Sequence, residues 1–209
     1  MNQPTLPAGA LERARSLLAT GQRKVLGIAA APGAGKSTLA ECLLQALGAQ
    51  ARVVPMDGFH LANSELQRLG RRGRKGAPDT FDAAGYVNLL RRIKAQQPGE
   101  TIYAPEFRRD LEEGIAGAIA IEVSTPLIIT EGNYLLMDDG AWSQVRGTLD
   151  EVWYLDINRT LRHQRLLERH MRFGRSREDA LAWIAGTDEP NAVRIEHTRQ
   201  HANWVLSME

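Results

Sequence analysis

The chain has 209 residues, 43% of them apolar and 24% charged, with 26 Lys and Arg set against 25 Asp and Glu. A net charge of +1 leaves no bulk electrostatic case for nucleic acid or a membrane surface as partner, and the longest apolar runs fall far short of a bilayer span. Cys42 is the lone cysteine, so no disulfide can form within the chain, and the N-terminus lacks the apolar core of a secretory signal; one globular domain over residues 1–209 in the reducing cytoplasm is the expectation.

In chain order, residues 8–20 carry Leu11, Leu17 and Leu18 at amphipathic spacing and predict a short packing helix. Residues 25–31 read as a strand buried on both faces. A turn, Ala31-Pro32-Gly33-Ala34-Gly35, leads to Lys36-Ser37-Thr38. Leu39, Cys42, Leu43, Ala46 and Leu47 then follow at helical spacing, and Gly48 closes the run. Strand, glycine turn, Lys-Ser and helix are the parts of a phosphate-binding loop. Small residues let successive backbone N–H groups point at phosphate oxygens, and the helix N-terminus adds partial positive charge. Residues 31–38 are therefore the candidate nucleotide-binding segment. Lys36 is placed to reach the β- and γ-phosphates and the Ser37 hydroxyl to bind Mg²⁺. Ala30 stands where this motif usually opens with glycine, which is tolerable at negative φ.

Residues 51–56 read as a second strand ending in Asp57-Gly58-Phe59-His60. Ligands of open α/β sheets bind outside the carboxyl ends of strands, so Asp57 is a candidate for chemistry; a turn or cap residue before glycine is the other reading. After a helical turn or two over 61–69, Arg68, Arg71, Arg72, Arg74 and Lys75 crowd a glycine-punctuated loop. That loop is either solvated surface or a cover for an anionic or polyhydroxyl substrate. Asp79 and Phe81 follow, and Asp82 caps a helix that aligns Tyr86, Leu89, Leu90 and Ile93. Residues 101–123 alternate like two strands around the charged stretch 106–110, an antiparallel insertion over a pocket. Residues 126–132 form a buried strand ending in Glu131-Gly132, where the acid suits either the metal side of a nucleotide site or a strand-end cap.

A helix around 142–145 and a strand over 151–156 precede the most basic helix, 158–175. Arg162, Arg165, Arg169 and Arg172, spaced three, four and three, fall within a narrow arc and lead into Gly174-Arg175-Ser176. A solvated face and a mobile arginine lid both fit; arginines on such a lid would stabilise charge on a transferring phosphoryl group. A further helix and a short strand at 204–206 end the chain. Strands alternating with helices predict an α/β P-loop NTPase fold: a mainly parallel five-stranded sheet, helices on both faces, an insertion at about 60–123 and a lid at about 165–178.

GIAAAPGAGKST, MDGFHL, RKGAPDTFD, the stretch 103–110, EGNYLL and RLLERHMRFGRS together resemble the phosphoribulokinase/uridine kinase family of P-loop kinases, which includes bacterial pantothenate kinases. The resemblance runs from about residue 24 to 205 and is strongest to the branch labelled fructose transport system kinases. It implies ATP- and Mg²⁺-dependent phosphorylation of an alcohol on a small molecule, a sugar or related metabolite. Asp57 would be the general base, Lys36 and Ser37 the phosphate and Mg²⁺ groups, and Glu131 a metal-side acid. Arg169, Arg172 and Arg175 would form the lid, with His60, Lys75, Asp79, Tyr103, Arg108 and Arg109 on the substrate side. A nucleoside or pantothenate kinase, or a nucleotide-binding regulatory module of weak turnover, are the alternatives. The chain departs from the family pattern at Ala30 and in lacking a histidine in the hairpin. A regulatory GTPase would need an Asn-Lys-x-Asp segment and a transporter ATPase a Leu-Ser-Gly-Gly segment; neither occurs. Pairing of two copies stays open.

Overall fold

The structure, a computed structural model, describes residues 6–208. Its elements in chain order are α1 (Ala10–Leu18), β1 (Lys24–Ala29), α2 (Lys36–Leu47), β2 (Ala51–Val53), α3 (Asn63–Arg68), α4 (Ala83–Lys94), β3 (Thr101–Arg108), β4 (Glu113–Glu122), β5 (Leu127–Gly132), β6 (Glu151–Ile157), α5 (Arg159–Arg172), α6 (Arg177–Trp183), α7 (Glu189–Glu196) and β7 (Trp204–Met208). Five strands form one sheet in the order β2–β5–β1–β6–β7, and every pairing in it is parallel. β3 and β4 form a separate antiparallel hairpin whose register shifts between Ala104 and Glu106. Pro105 sits at that shift, as a residue without an N–H must in a ladder.

The apolar runs of β1 and β5 occupy the sheet centre, covered on both faces, which is why neither strand alternates in sequence. One face packs Leu26, Ile28 and Trp153 against α1 and α2 through Ala10, Ala14, Leu39 and Leu43. The other packs Val25 and Ile128 against α4 through Tyr86, Leu90 and Ile93. Thr130 is the polar exception within β5. Its hydroxyl donates to the Val54 carbonyl (2.6 Å) and meets the Tyr86 hydroxyl (2.6 Å), so no polar group there goes unmatched.

Three local expectations shift. The first strand ends at Ala29, because Ala30 and Ala31 already belong to the phosphate loop. Residues 140–144 form a 3₁₀ turn instead of an α-helix. A π-turn, Ile184–Asp188, joins α6 to α7, which no local pattern announced. No helix among the described residues is long and apolar enough to cross a membrane. Register does the positioning. Ala29 of β1 pairs with Gly132 of β5, so the phosphate loop and Glu131 emerge side by side at one sheet edge.

Candidate active site

The loop between β1 and α2 turns on Gly33, at φ +81°. A Cβ there would stand 2.7 Å from Leu166 and 3.1 Å from the Arg162 carbonyl, so α5 lies directly on the loop and only glycine fits. α2 starts at Lys36, which places its unpaired N–H groups at the loop. Lys36 is buried; its Nζ donates to the Asn133 side-chain oxygen (2.6 Å) and the Ala31 carbonyl (3.3 Å). Burial pulls its pKa down to about 8, against the opposing attraction of Glu131 and Asp57. The Ser37 hydroxyl donates to Glu131 (2.9 Å). Burial, with the nearby Asp57 charge, holds the Glu131 carboxyl above its ordinary range. Ala30 is buried in the core and does not carry a positive φ, so its methyl replaces a glycine hydrogen without backbone strain.

Asp57 follows β2 in a 3₁₀ turn, Met56–Phe59, where it caps nothing. Instead its carboxylate faces Arg109 of the hairpin at 3.4 Å. A Cβ on Gly58 would lie 2.3 Å from the Pro105 carbonyl oxygen, so this glycine is what lets the turn press onto the hairpin. His60 completes the turn, its ring stacked between Phe81 (3.9 Å) and Phe107 (4.6 Å), and burial lowers its pKa.

Two hollows meet at the loop. The larger, about 710 Å³, is lined by Asp57, His60, Lys75, Glu131 and Arg175 among others. The smaller, about 470 Å³, is lined by Gly33, Gly35, Thr38, Cys42 and Arg165. Both share Lys36, Ser37, Arg109 and Arg169. The other loop residues lie alongside. Pro32 lines the larger hollow, the Ala31 carbonyl holds Lys36, and the Ala34 carbonyl accepts from Arg165 (3.4 Å). Hard oxygen donors from Ser37 and Glu131 beside a cationic, glycine-turned loop fit a magnesium nucleotide.

Besides Ala31 and Ala34, four candidates line neither hollow. Tyr103 is 59% exposed on the hairpin's outer side. Arg108 is committed to Asp110 through two bonds (3.0 and 2.9 Å). Asp79 is paired with Arg71 and Arg74. Arg172 is exposed at the end of α5. The arginine arc also divides. Ten residues of helix drift by only about 80°. Position along the helix separates them instead: Arg162 is buried against Glu189 of α7 (2.7 Å), Arg165 and Arg169 line the hollow at the loop, and Arg172 is exposed at the helix end.

The sequence reading missed Asn133, though it directly follows Glu131-Gly132 and adjacency to that strand end was a usable signal. It also missed Trp183, which carries the Arg175 guanidinium 3.8 Å from its ring, and the half-buried His170–Asp188 pair (2.8 Å). No local signal marked these.

A parallel sheet whose glycine-turned loop meets a Lys, a Ser and a neighbouring strand-end acid defines a P-loop protein of the kinase type. The sequence profile of the phosphoribulokinase/uridine kinase family matches residues 25–207, and the chain belongs to that family. It is 35% identical to the protein YggC of Escherichia coli over 193 residues, covering 90% of this chain and 78% of YggC. It is 33% identical over 205 residues to C227.14 of Schizosaccharomyces pombe, a provisionally assigned uridine kinase, covering 93% and 87%. Among solved structures, a provisionally assigned fructose transport system kinase from Silicibacter sp. TM1040 superposes with a TM-score of 0.83 at 35% identity, covering 94% of this chain and 98% of that one. YFH7 of Saccharomyces cerevisiae, at 18% identity and a TM-score of 0.82, shares the fold over 95% of this chain and 97% of its own.

Proposed function

We propose that the protein is a cytoplasmic kinase that uses ATP and Mg²⁺ to phosphorylate a hydroxyl of a small molecule, a sugar or related metabolite. The observation that carries this reading is the convergence of Lys36, Ser37, Glu131 and Asp57 where the two hollows join. A magnesium nucleotide, when bound there, would supply the phosphoryl group and a divalent charge. Lys36 and the loop N–H groups neutralise phosphate oxygens, and the Ser37 hydroxyl and Glu131 carboxylate serve the metal side. Asp57, on the larger hollow, takes the proton of the acceptor hydroxyl at a carboxylate oxygen. Arg169 reaches the junction from α5 and Arg175 the larger hollow from the loop that follows, both suited to meet charge on the transferred group. Likeness to the Silicibacter protein supports a sugar acceptor.

The test is Asp57→Asn, assayed with an acceptor found by screening ATP consumption against sugars, sugar acids, nucleosides and pantothenate. Nucleotide affinity by calorimetry is expected to survive while turnover falls by ~10²–10⁴. Full turnover in the variant would overturn the base assignment. Slow ATP hydrolysis indifferent to every alcohol offered would favour a regulatory module instead.

A further inference from the structure

The larger hollow has a second end, away from the phosphate loop. Building on the kinase reading, we infer that the acceptor is a small polyhydroxylated anion, a sugar bearing a carboxylate or phosphate group, whose negative end is held by Lys75 and Arg72. The pairing of the basic loop carries this. Of its five cations, Arg68 is paired with Glu65 (2.7 Å), and Arg71 and Arg74 share the one carboxylate of Asp79. The remaining two, Arg72 and Lys75, are the two that line the hollow.

Neither of those two is cancelled by a direct ion pair. Lys75 Nζ donates to the side-chain oxygen of Asn63 (2.9 Å) and to the Glu112 carbonyl, both neutral, and lies 5.1 Å from the Phe107 ring centre. Arg72 bonds to none of the described residues. Of the carboxylates nearby, Glu113 accepts from the Asn63 N–H at the start of α3 (3.0 and 3.2 Å) and Glu112 lines the hollow; both attract Lys75 through space, and neither forms a direct ion pair with it or with Arg72. Glu112 is also, among the described residues, the one non-glycine at positive φ (54°). That strained backbone aims its carbonyl at Lys75 and at the Asn63 amide (3.0 Å), fixing the ammonium in place.

His60 lies between the two ends. Its ring packs 4.6 Å from Phe107, whose ring centre stands 5.1 Å from the Lys75 ammonium, while the ring's polar contact is with the Asp57 turn. Its Nδ1 stands 2.7 Å from the Asp57 carbonyl, an acceptor only, so Nδ1 carries the hydrogen and Nε2 is left as an acceptor. The order along the hollow is thus a base, an acceptor for a second hydroxyl, and an anion site.

The test uses the full chain saturated with Mg²⁺ and the non-hydrolysable nucleotide AMP-PNP. Inorganic phosphate is titrated by calorimetry, and ATP consumption is then compared within matched pairs, D-gluconate with D-glucitol and D-fructose 6-phosphate with D-fructose. The expectation is one phosphate site per chain beyond the nucleotide, preference for the anion of a pair, and loss of both in Arg72→Ala/Lys75→Met. KM for the anion should rise roughly tenfold or more, with kcat and nucleotide affinity changing less. The pair that responds separates a carboxylate from a phosphate. Arg72→Ala alone, an exposed and unbonded side chain, serves if the double variant does not fold.

Absence of phosphate binding, binding that persists in the variants, or transfer to a neutral sugar as readily as to its anion would overturn the inference. Transfer to neutral sugars would still leave the kinase reading standing. Phosphate and sugar anions bound through Arg72 and Lys75, with no transfer to any acceptor, would support the anion site and overturn the kinase reading.

Discussion

A buried ammonium whose bonded partners are neutral oxygens is poised to change charge. Lys36 has that setting, and burial brings its pKa to about 8. Phosphate oxygens beside it would favour the charged form and return the pKa toward the ordinary lysine value of about 10.4. Between those values the free protein is partly deprotonated and the complex protonated, so nucleotide binding at about pH 9 should take up a proton. Calorimetry in two buffers of different ionisation heat, with Mg²⁺-free nucleotide, reads this directly. Lys36→Ala should abolish both the uptake and phosphoryl transfer. The same shift carries a sign for stability. The unfolded chain holds the extra proton in this window, so the contribution of Lys36 to stability rises as pH climbs through it.

At the scale of the element, α5 does two jobs. Its inner face meets the loop through Leu166 and carries Arg165 and Arg169, while its end leaves Arg172 exposed. Arg169→Ala and Arg175→Ala should therefore lower kcat more than nucleotide affinity, since their charge is met mainly in the reactive complex. Arg172→Ala should stay within about twofold of the parent, a change worth less than ~0.5 kcal/mol. Equal losses of ATP binding and turnover for Arg169→Ala would make it a ground-state group instead.

The same helix also joins α7, where Glu189 gathers Arg159, Arg162 and His163. Arg162 is 1% exposed, and its Nε and Nη1 find no partner among the described residues. Glu189→Gln would leave that buried charge without its close carboxylate, and breaking such a pair typically costs about 3–5 kcal/mol. A denaturant melt should register a large loss. A stable Glu189→Gln protein would mean that Glu196, 3.9 Å away, suffices.

For the whole molecule, the site exists because three strand ends share one sheet edge and the hairpin folds over it. β1 delivers the loop, β2 leads to Asp57, and β5 ends in Glu131. The hairpin seats closely on the Asp57 turn because Gly58 approaches the Pro105 carbonyl. Gly58→Ala should push these apart and misplace Asp57 against Arg109. Turnover is expected to fall by at least ~10²-fold, as geometric misplacement of about 1 Å can do, while nucleotide binding persists. Unchanged turnover would show that the hairpin and the Asp57 turn move independently.

Contiguous patterns carried most of the architecture. Apolar runs, the glycine turn and the Asp82 cap, whose carboxylate accepts from Gly85 N–H at 2.8 Å, are set by neighbours a few residues apart. Backbone hydrogen bonding and face burial at that range leave a direct imprint on sequence. The alternation of strands and helices then made the parallel sheet legible, and with it the strand ends where Lys36, Asp57 and Glu131 stand. What the sequence could not decide is which charge meets which. Asp79 pairs with Arg71 and Arg74 while Arg72 and Lys75 line the hollow, although all are neighbours in one loop. Arg162 and Arg169 have the same side chain on the same helix, yet one is locked to α7 and the other faces the loop. Trp183 under Arg175 and Asp188 beside His170 come from another helix and a π-turn. Such pairings depend on how elements pack across tens of residues, a distance over which periodicity carries no information, so only the tertiary structure decided them.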